Sequence, residues 1–383
     1  MKNLSIYAGL VLTGVLLFKI NEGEISSTTV LVDMISKPTI KQEIIVNEEA
    51  AVKIQNTKNE TLIQPEEVKT EDDGSFTIMA FGDVMLGRYV RTLMDKYGKE
   101  YVFAKIDMDE NPFFGDTDLV FANLEGPIKG QGYKNQTAMV FGFHTDTAEF
   151  LKKYGFDILS IANNHALDQK PEGRDTTIQA LEEAGLGWCG DSKEAAQNSV
   201  HYGKDGEITY AFVCFNDVIY PLDKMKAIEL VRKVSEEVDY LIVSIHWGYE
   251  YKHIPSDEIQ VKLGHTFIDA GADFIIGHHP HVVQSFEEYN GKFIFYSLGN
   301  FVFDQYWSRD TQEELGIKII LTKDDEDLVT KVELFPMAST LSQPYLMEGD
   351  AKTKWIEKFI GYGKYDENTI AEIRNGVVVA EAN

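Results

Sequence analysis

DFIIGHHPH, residues 273–281, joins an apolar run to three of the nine histidines in this 383-residue chain. The run Phe274-Ile275-Ile276 predicts a short buried strand, and the histidines follow at its carboxyl end. Taken alone, a polar turn that happens to be rich in histidine explains the pattern equally well. The pattern gains meaning when the ends of the other predicted strands are compared with it.

Five other predicted strands also end in a carboxylate, an amide or an imidazole, often beside a glycine. The endings are Gly82-Asp83, Asn123-Leu124-Glu125, Asn163-Asn164-His165, His246-Trp247-Gly248 and Gly299-Asn300, after the runs 76–81, 118–122, 158–162, 241–245 and 293–298. In α/β sheets, functional sites assemble beyond the carboxyl ends of the strands, and glycine lets the backbone turn there. We therefore expect these side chains to converge.

The alternation of strands and helices from Ser75 onward predicts an α/β domain with much parallel sheet. Further candidate strands are 210–215, 274–276, 317–321 and 329–335, and the candidate helices are 89–97, 145–154, 174–184, 224–238 and 256–270. The last strands have no helices between them, which indicates an antiparallel portion. We place this domain at 75–345, followed by a C-terminal helix and a loose tail at 346–383.

The N-terminal part of the chain has a different character. Lys2 precedes the apolar run 4–18, which predicts a signal anchor at 1–20, with a cleaved signal peptide as the alternative. Residues 21–74 are rich in polar side chains and predict a flexible linker. Both alternatives place the domain outside the cytoplasm, and the anchor makes the protein a single-pass protein of the cell membrane.

Composition excludes some functions. With 62 acidic and 36 basic residues the formal charge is −26, which disfavours nucleic acid as a partner. A polyanionic substrate needs a local basic patch. Of the two cysteines, Cys214 lies in an apolar run and predicts a buried thiol; a disulfide with Cys189 is possible but not required.

The strand-end residues are of the types that bind divalent metals. Carboxylates, amide oxygens and neutral imidazoles suit Mn²⁺, Zn²⁺, Fe²⁺ or Mg²⁺, and two adjacent ions need about six or seven ligands. A set of suitable size is Asp83, Glu125, Asn164, His246, His279 and His281. Each residue alone also fits an ordinary role, such as a helix cap, a loop acid, a turn amide or a packed aromatic. His144, His201, His253 and His265 lack this context and are expected to be surface or structural residues.

At this point the motifs resemble a known family. GDVMLGR (82–88), ANLEGP (122–127), ANNHALD (162–168), HWGYEY (246–251), GHHPHVVQ (277–284) and YSLGNFVFDQ (296–305) are similar, in order and spacing, to the CapA family. That family of capsule and poly-γ-glutamate biosynthesis proteins belongs to the calcineurin-like metallophosphatase superfamily. The resemblance covers about residues 75–345 and implies a four-layer αββα sandwich of two mixed sheets flanked by helices.

The resemblance also implies roles for the residues. Asp83 and His281 would bind a first metal, Asn164, His246 and His279 a second, and Glu125 would bridge them. His165 would be the catalytic imidazole, and the metals would activate a water as the nucleophile. Two positions depart from the superfamily pattern. Met85 replaces a usual histidine, and Glu125 replaces a usual aspartate, which together weaken the case for ordinary phosphoesterase activity.

Substrate contacts are assigned to residues beside these motifs. They are Arg88, Arg309, Trp307, Asn300 and His278. Arginine forks match carboxylates, although each arginine could equally form a surface ion pair. Two functions stay open. The chain is a metal-dependent hydrolase or transferase acting on poly-γ-glutamate or a related anionic envelope polymer, or it is a non-catalytic scaffold subunit that works with membrane subunits of a synthase and export complex.

Overall fold

The computed structural model describes residues 74–106, 117–129, 139–191, 193–324 and 327–380, all within the compact unit Thr70–Asn383. The predicted anchor at 1–20 and nearly all of the predicted linker at 21–74 lie outside these residues. Among the residues described, no helix is both long and apolar enough to cross a membrane.

The described chain forms fifteen strands and seven α-helices. In chain order the strands are β1 (Phe76–Val84), β2 (Leu119–Leu124), β3 (Ile158–Ser160), β4 (Gly187–Cys189), β5 (Val200–Asp205), β6 (Ile208–Asn216), β7 (Tyr240–His246), β8 (Phe274–His278), β9 (Phe286–Tyr289), β10 (Lys292–Phe295), β11 (Asn300–Val302), β12 (Glu313–Asp324), β13 (Asp327–Thr340), β14 (Gln343–Leu346) and β15 (Val377–Val379). The helices are α1 (Arg88–Tyr97), α2 (Thr147–Lys153), α3 (Lys170–Glu183), α4 (Lys224–Ser235), α5 (Lys262–Asp269), α6 (Gly349–Ile360) and α7 (Glu367–Asn375).

The strands form two mixed sheets. The first has the order β14-β13-β12-β1-β2-β3-β4, with β11 paired to β1 and β15 paired to β13. The second has the order β5-β6-β7-β8-β10-β9. In each sheet the central strands are parallel, β1 to β4 in the first and β6, β7, β8 and β10 in the second. Antiparallel strands extend both sheets, as the later part of the sequence predicted.

Side chains alternate between two faces of each sheet. Ile78 of β1 packs into the core between the sheets, where Phe121 stacks on Phe212 with ring centroids 4.6 Å apart. Met79, next in sequence, points to the outer face and packs with α1, α2 and α3. The second sheet packs its outer face against α4 and α5, with Phe267 fully buried there. This is the predicted four-layer αββα arrangement, and burial of such side chains contributes about 1.5–3 kcal/mol each.

Three sequence predictions differ from the structure. The expected loose tail instead forms α7 and β15, and Phe359 and Ile373 close one end of the core between the sheets. Helix 256–270 begins as a π-helical turn at Asp257–Val261 and becomes α-helical only at α5. Cys214 is buried as predicted, but it forms a disulfide with Cys189 instead of remaining a thiol. That bridge joins β4 of the first sheet to β6 of the second.

Candidate metal centre

The carboxyl ends of the parallel strands in both sheets meet at one place. The contact is direct, since the Asn123 amide nitrogen of β2 lies 3.4 Å from Nδ1 of His246 at the end of β7. Asp83, the second-last residue of β1, pairs in register with Asn123 of β2 on one side and with Asn300 of β11 on the other. The predicted convergence of the strand ends therefore occurs, and it spans both sheets.

Asp83 is fully buried and held on several sides. Its Oδ1 accepts a hydrogen bond of 2.8 Å from Asn123, and its Oδ2 accepts one of 3.3 Å from the backbone N–H of His279. Nδ1 of His278 lies 3.4 Å from Oδ1, and Nδ1 of His281 lies 3.5 Å from Oδ2. Burial alone would raise the pKa of Asp83, but His278 and His281 outweigh it and hold the pKa well below its usual range.

Glu125 contrasts with Asp83, although both are fully buried. Among the described residues, neither of its carboxylate oxygens has a hydrogen-bond partner. Burial, followed by the nearby charge of Asp83, raises the pKa of Glu125 well above its usual range. Two carboxylates buried side by side repel each other, and a divalent cation between them would remove that penalty.

His246 and Asn164 bring the next two ligand atoms together. Nε2 of His246 lies 2.8 Å from the amide oxygen of Asn164. Two ligands each about 2.1 Å from one ion lie roughly 3 Å apart, so this spacing suits a shared metal. One ring nitrogen of His246 also lies within 4.8 Å of a carboxylate oxygen of both Asp83 and Glu125.

His279 and His281 come from a strained segment. Their φ angles are 97° and 57°, in the left-handed region that residues other than glycine rarely adopt. Nδ1 of His281 lies 2.9 Å from the amide oxygen of Asn300, while its Nε2 lies 3.8 Å from Glu125 Oε1. A hydrogen bond donated by Nδ1 leaves the Nε2 lone pair available for a metal.

Two of the site histidines, His246 and His279, are held in the neutral form that metals require. Burial, followed by the charge of His281, lowers the pKa of His279 to about 3. Burial, followed by the charge of His279, also lowers the pKa of His246 well below its usual value. Together with the unpartnered oxygens of Glu125, these neutral imidazoles fit a divalent metal ion. Asp83, Glu125, Asn164, His246, His279 and His281 would hold it.

His165 lies at the edge of this cluster. Its Nδ1 is 2.8 Å from Oδ2 of Asp168, and its Nε2 is 3.8 Å from Oε1 of Glu125. The ring of Phe141 stacks on the imidazole with centroids 3.8 Å apart. One ring nitrogen is thus fixed by a carboxylate, and the other is directed at the ligand set.

The five residues assigned to substrate binding occupy different environments. Arg88 forms an ion pair with Asp304 and lies over the rings of Phe141 and Phe303, 4.8 and 5.3 Å from their centroids. Trp307 is exposed and meets the ring of Tyr251 edge-on at 5.8 Å.

Arg309 instead pairs with Glu313 at 2.8 Å, and its side chain is 78% exposed, as in the surface ion pair considered above. Asn300 and His278 are each only 1% exposed. Asn300 contacts His281, and His278 faces Asp83, so the contacts of both side chains are with predicted ligands. Substrate contact by Asn300 or His278 stays a prediction.

The remaining predicted histidines are structural. His144 contacts Asp95 at 2.8 Å, and His265 contacts Glu287 at 2.9 Å. His253 contacts the carbonyl of Val283 at 2.8 Å. Sequence reasoning gave no role to Asn123, Asp168 or Glu250, all of which the structure brings to the site. For Asp168 a signal existed, because it follows His165 by three residues.

A buried set of carboxylates, amide and imidazoles at the strand ends of a two-sheet sandwich defines an α/β protein with a candidate metal site. Residues 77–305 match the family model described as "Bacterial capsule synthesis protein PGA_cap", and the chain belongs to this family. The resemblance to the CapA family that the sequence motifs indicated is therefore confirmed.

Two relatives from Bacillus are similar over about two thirds of this chain. The "PGA biosynthesis protein CapA" of Bacillus subtilis (strain 168) is 35% identical over 268 residues, which are 65% of this chain and 68% of that protein. The "Capsule biosynthesis protein CapA" of Bacillus anthracis is 34% identical over 271 residues, 65% of this chain and 64% of that protein. The matched region thus spans about two thirds of each relative.

Solved structures with a related arrangement are more distant. A hypothetical protein from Thermus thermophilus has a TM-score of 0.45 and 16% identity, covering 71% of this chain and 99% of its own. A novel phosphatase from Mycoplasma pneumoniae has a TM-score of 0.42 and 12% identity, covering 70% of this chain and 96% of its own. Likeness at this level supports no statement about function.

Proposed function

We propose that this protein is a membrane-anchored, extracytoplasmic member of the family whose metal centre hydrolyses or transfers poly-γ-glutamate. The observation that carries the proposal is the placement of His165. Its Nδ1 is held by Asp168, and its Nε2 points to Glu125 at the edge of a buried ligand set. A scaffold that only binds an ion has no need of an oriented imidazole beside the ligands.

His165 and Asp168 suggest separate roles for the metal ion and for the protein in cleaving a γ-amide. A divalent metal ion, when bound, supplies polarisation of a carbonyl and a lowered pKa for water. Water adds to the amide carbonyl, the C–N bond breaks, and the leaving nitrogen needs a proton. His165 is positioned to accept a proton from the attacking water at Nε2 and to deliver it to that nitrogen, while Asp168 fixes the ring orientation through Nδ1.

Arg88 supports the choice of an anionic polymer. The chain carries a formal charge of −26, so a polyanion is repelled by most of the surface. Arg88 is held by Asp304 and by two aromatic rings, and its charge offsets part of the rise in the pKa of Glu125 that burial and Asp83 cause. A fixed guanidinium at the metal centre can receive a polymer carboxylate. Trp307 and Tyr251 add an exposed aromatic surface next to it.

The direct experiment incubates the Mn²⁺-loaded parent and Mn²⁺-loaded His165→Ala with purified poly-γ-glutamate. The chain length of the polymer is followed with time. His165→Ala should keep its metal and lose about 10²–10⁴-fold in rate, as expected for a general acid–base group. His265→Ala is a matched control, because His265 contacts Glu287 at 2.9 Å outside the site. Equal rates for the parent and His165→Ala would refute the catalytic proposal.

A scaffold function is the second candidate, and Met85 favours it. Met85 is fully buried, and its sulfur accepts a 3.1 Å hydrogen bond from the backbone N–H of Gly87. A thioether is a poor ligand for a hard cation, so the position that the resemblance gives to a histidine contributes no such ligand. For a scaffold, a His165→Ala strain should make normal polymer, while deleting residues 1–20 should abolish production together with docking to membrane subunits.

The extracytoplasmic location is supported by two features. Lys2 with the apolar run 4–18 resembles a signal anchor, and a disulfide between Cys189 and Cys214 is typical of an oxidising compartment. Protease added to intact cells should release the domain by cutting within 21–74. Protection in intact cells, with cleavage only after lysis, would contradict this location.

A further inference from the structure

A second group of metal-binding side chains adjoins the predicted ligand set. Ligand atoms of Glu250, His279 and His281 all lie within 4.8 Å of one another. The first such group, Asp83, Glu125 and His246, has the same spacing and consists entirely of predicted ligands. Glu250 is thus the one acidic residue in these two groups for which the sequence suggested no role.

The loop that carries Glu250 is fastened to the histidine segment by backbone hydrogen bonds. The N–H of Trp247 donates to the carbonyl of His278 at 3.0 Å, and the N–H of Tyr251 donates to the carbonyl of Pro280 at 2.8 Å. The buried indole of Trp247 also donates to the carbonyl of Tyr296 at 2.9 Å. Glu250 therefore faces His279 and His281 because the two loops are tied on either side of it.

Both loops adopt strained backbone conformations at this point. Tyr251 has a φ of 62°, next to Glu250, and His279 and His281 have φ values of 97° and 57°. Such conformations cost about 1–3 kcal/mol each in residues other than glycine, and they persist where the surroundings impose them. Three of them around one small cluster indicate that the positions of its side chains are constrained from both loops.

Buried groups with unused binding capacity point into the same region. His279 is 5% exposed, and its Nδ1 has no hydrogen-bond partner among the described residues. The two carboxylate oxygens of Glu125, near His281, also have no hydrogen-bond partner among the described residues. Glu250 is exposed, so an ion held by it with the two histidines would be reachable from solvent, whereas the group around Asp83 is enclosed. An open coordination position is what distinguishes catalytic metal sites from structural ones.

We propose that Glu250 is a metal ligand, which joins His279 and His281 around a divalent cation on the solvent side of the centre. This inference rests on the metal centre of the proposed function. It adds a hard anionic ligand to a set in which Met85 supplies none. Substrate carboxylates or carbonyls would then reach the ion beside Glu250.

The test is Mn²⁺ binding to the full-length protein, with free Mn²⁺ counted by electron paramagnetic resonance. Glu250→Gln should lower the affinity for at least one equivalent of Mn²⁺ by ~100-fold or more. Changing even a residue that only supports a ligand typically lowers metal affinity by about 10–100-fold. The control is Glu229→Gln, which makes the same charge change at an exposed position in α4 and should bind like the parent. Parental binding by Glu250→Gln would overturn the assignment.

Co²⁺ absorption separates a ligand from a remote charge. Loss of a ligand should change the shape of the visible bands in Glu250→Gln but not in Glu229→Gln, and unchanged bands would also overturn the assignment. Mn²⁺ binding by His246→Ala separates the proposed metal centre from the proposed role of Glu250. If His246→Ala loses Mn²⁺ and Glu250→Gln does not, the metal centre stands and Glu250 is excluded from it. If the parent itself binds no Mn²⁺, Zn²⁺ or Fe²⁺, both proposals fail.

Discussion

Replacing Glu125 by glutamine should stabilise the metal-free protein and destabilise the metal-loaded protein relative to the parent. The carboxyl group is fully buried beside Asp83, and neither of its oxygens has a hydrogen-bond partner among the described residues. Without metal, the buried carboxyl group of Glu125 destabilises the folded state. Glutamine has nearly the same volume but no charge. With metal, the Glu125 carboxylate would be an anionic ligand, and glutamine would offer only a neutral oxygen.

The size of both effects can be estimated. Without metal, the parent loses about 1.4 kcal/mol for each unit by which burial raises the pKa of Glu125 above its unfolded-state value, counted up to the pH of the measurement, and glutamine avoids this loss. At a free metal concentration 100 times the parent's Kd, binding stabilises the parent by about 2.7 kcal/mol. If the variant binds ~100-fold more weakly, it gains only about 0.4 kcal/mol. That difference of about 2.3 kcal/mol corresponds to roughly 3.5 °C in Tm for a domain of this size.

Differential scanning calorimetry of both proteins near pH 7, in chelator and in Mn²⁺, measures the two effects. The order of the two Tm values in chelator should be reversed, or the gap closed, when Mn²⁺ is present. Equal stabilisation of parent and variant by Mn²⁺ would refute the assignment of Glu125 as a ligand. A variant less stable in chelator would refute the claim that its buried carboxyl is unfavourable without metal.

Three further predictions concern other parts of the molecule. Asp168→Asn should keep the metal but lower polymer cleavage by up to ~10²–10⁴-fold, because His165 loses the carboxylate that orients it; rate and metal content measured together test this. Replacing Cys189 and Cys214 by serine should lower the free energy of unfolding by about 3.5 kcal/mol in the chain-entropy estimate for a separation of 25 residues, and an unchanged urea midpoint would contradict it. Burial raises the pKa of Glu314 well above its usual value, so rising pH destabilises the parent above the unfolded-state pKa. Glu314→Met should therefore stabilise by about 1–4 kcal/mol near pH 7 and by less in acid, whereas a gain independent of pH would exclude this explanation.

The sequence predicted the main strands and the polar groups at their ends because both follow local rules. An apolar run such as 241–245 is recognisable from its neighbours, and a histidine at its end is visible in the sequence. Short strands were missed because β4 and β11 have only three residues each, too few to show alternation. The tail was misjudged because β15 is defined by pairing with the distant β13.

The sequence predicted which side chains lie at the candidate site, but it did not predict the contacts that hold them. Asn300 and His278 were assigned to substrate because they flank ligand motifs, and only burial shows that they face His281 and Asp83. Glu250 lies in the motif HWGYEY, but its position beside His279 and His281 depends on the hydrogen bond from Tyr251 to Pro280 across two loops. Hydrogen-bond direction and loop pairing are three-dimensional properties that residue spacing does not encode.

The most direct measurement of the central claim is elemental analysis of the purified protein and two variants. The claim is that the strand ends of both sheets hold a divalent metal. The parent should contain one or two equivalents of Mn, Zn or Fe, and His246→Ala and His279→Ala should each contain clearly less, with circular dichroism spectra like that of the parent. Parental metal content in both variants would contradict the account.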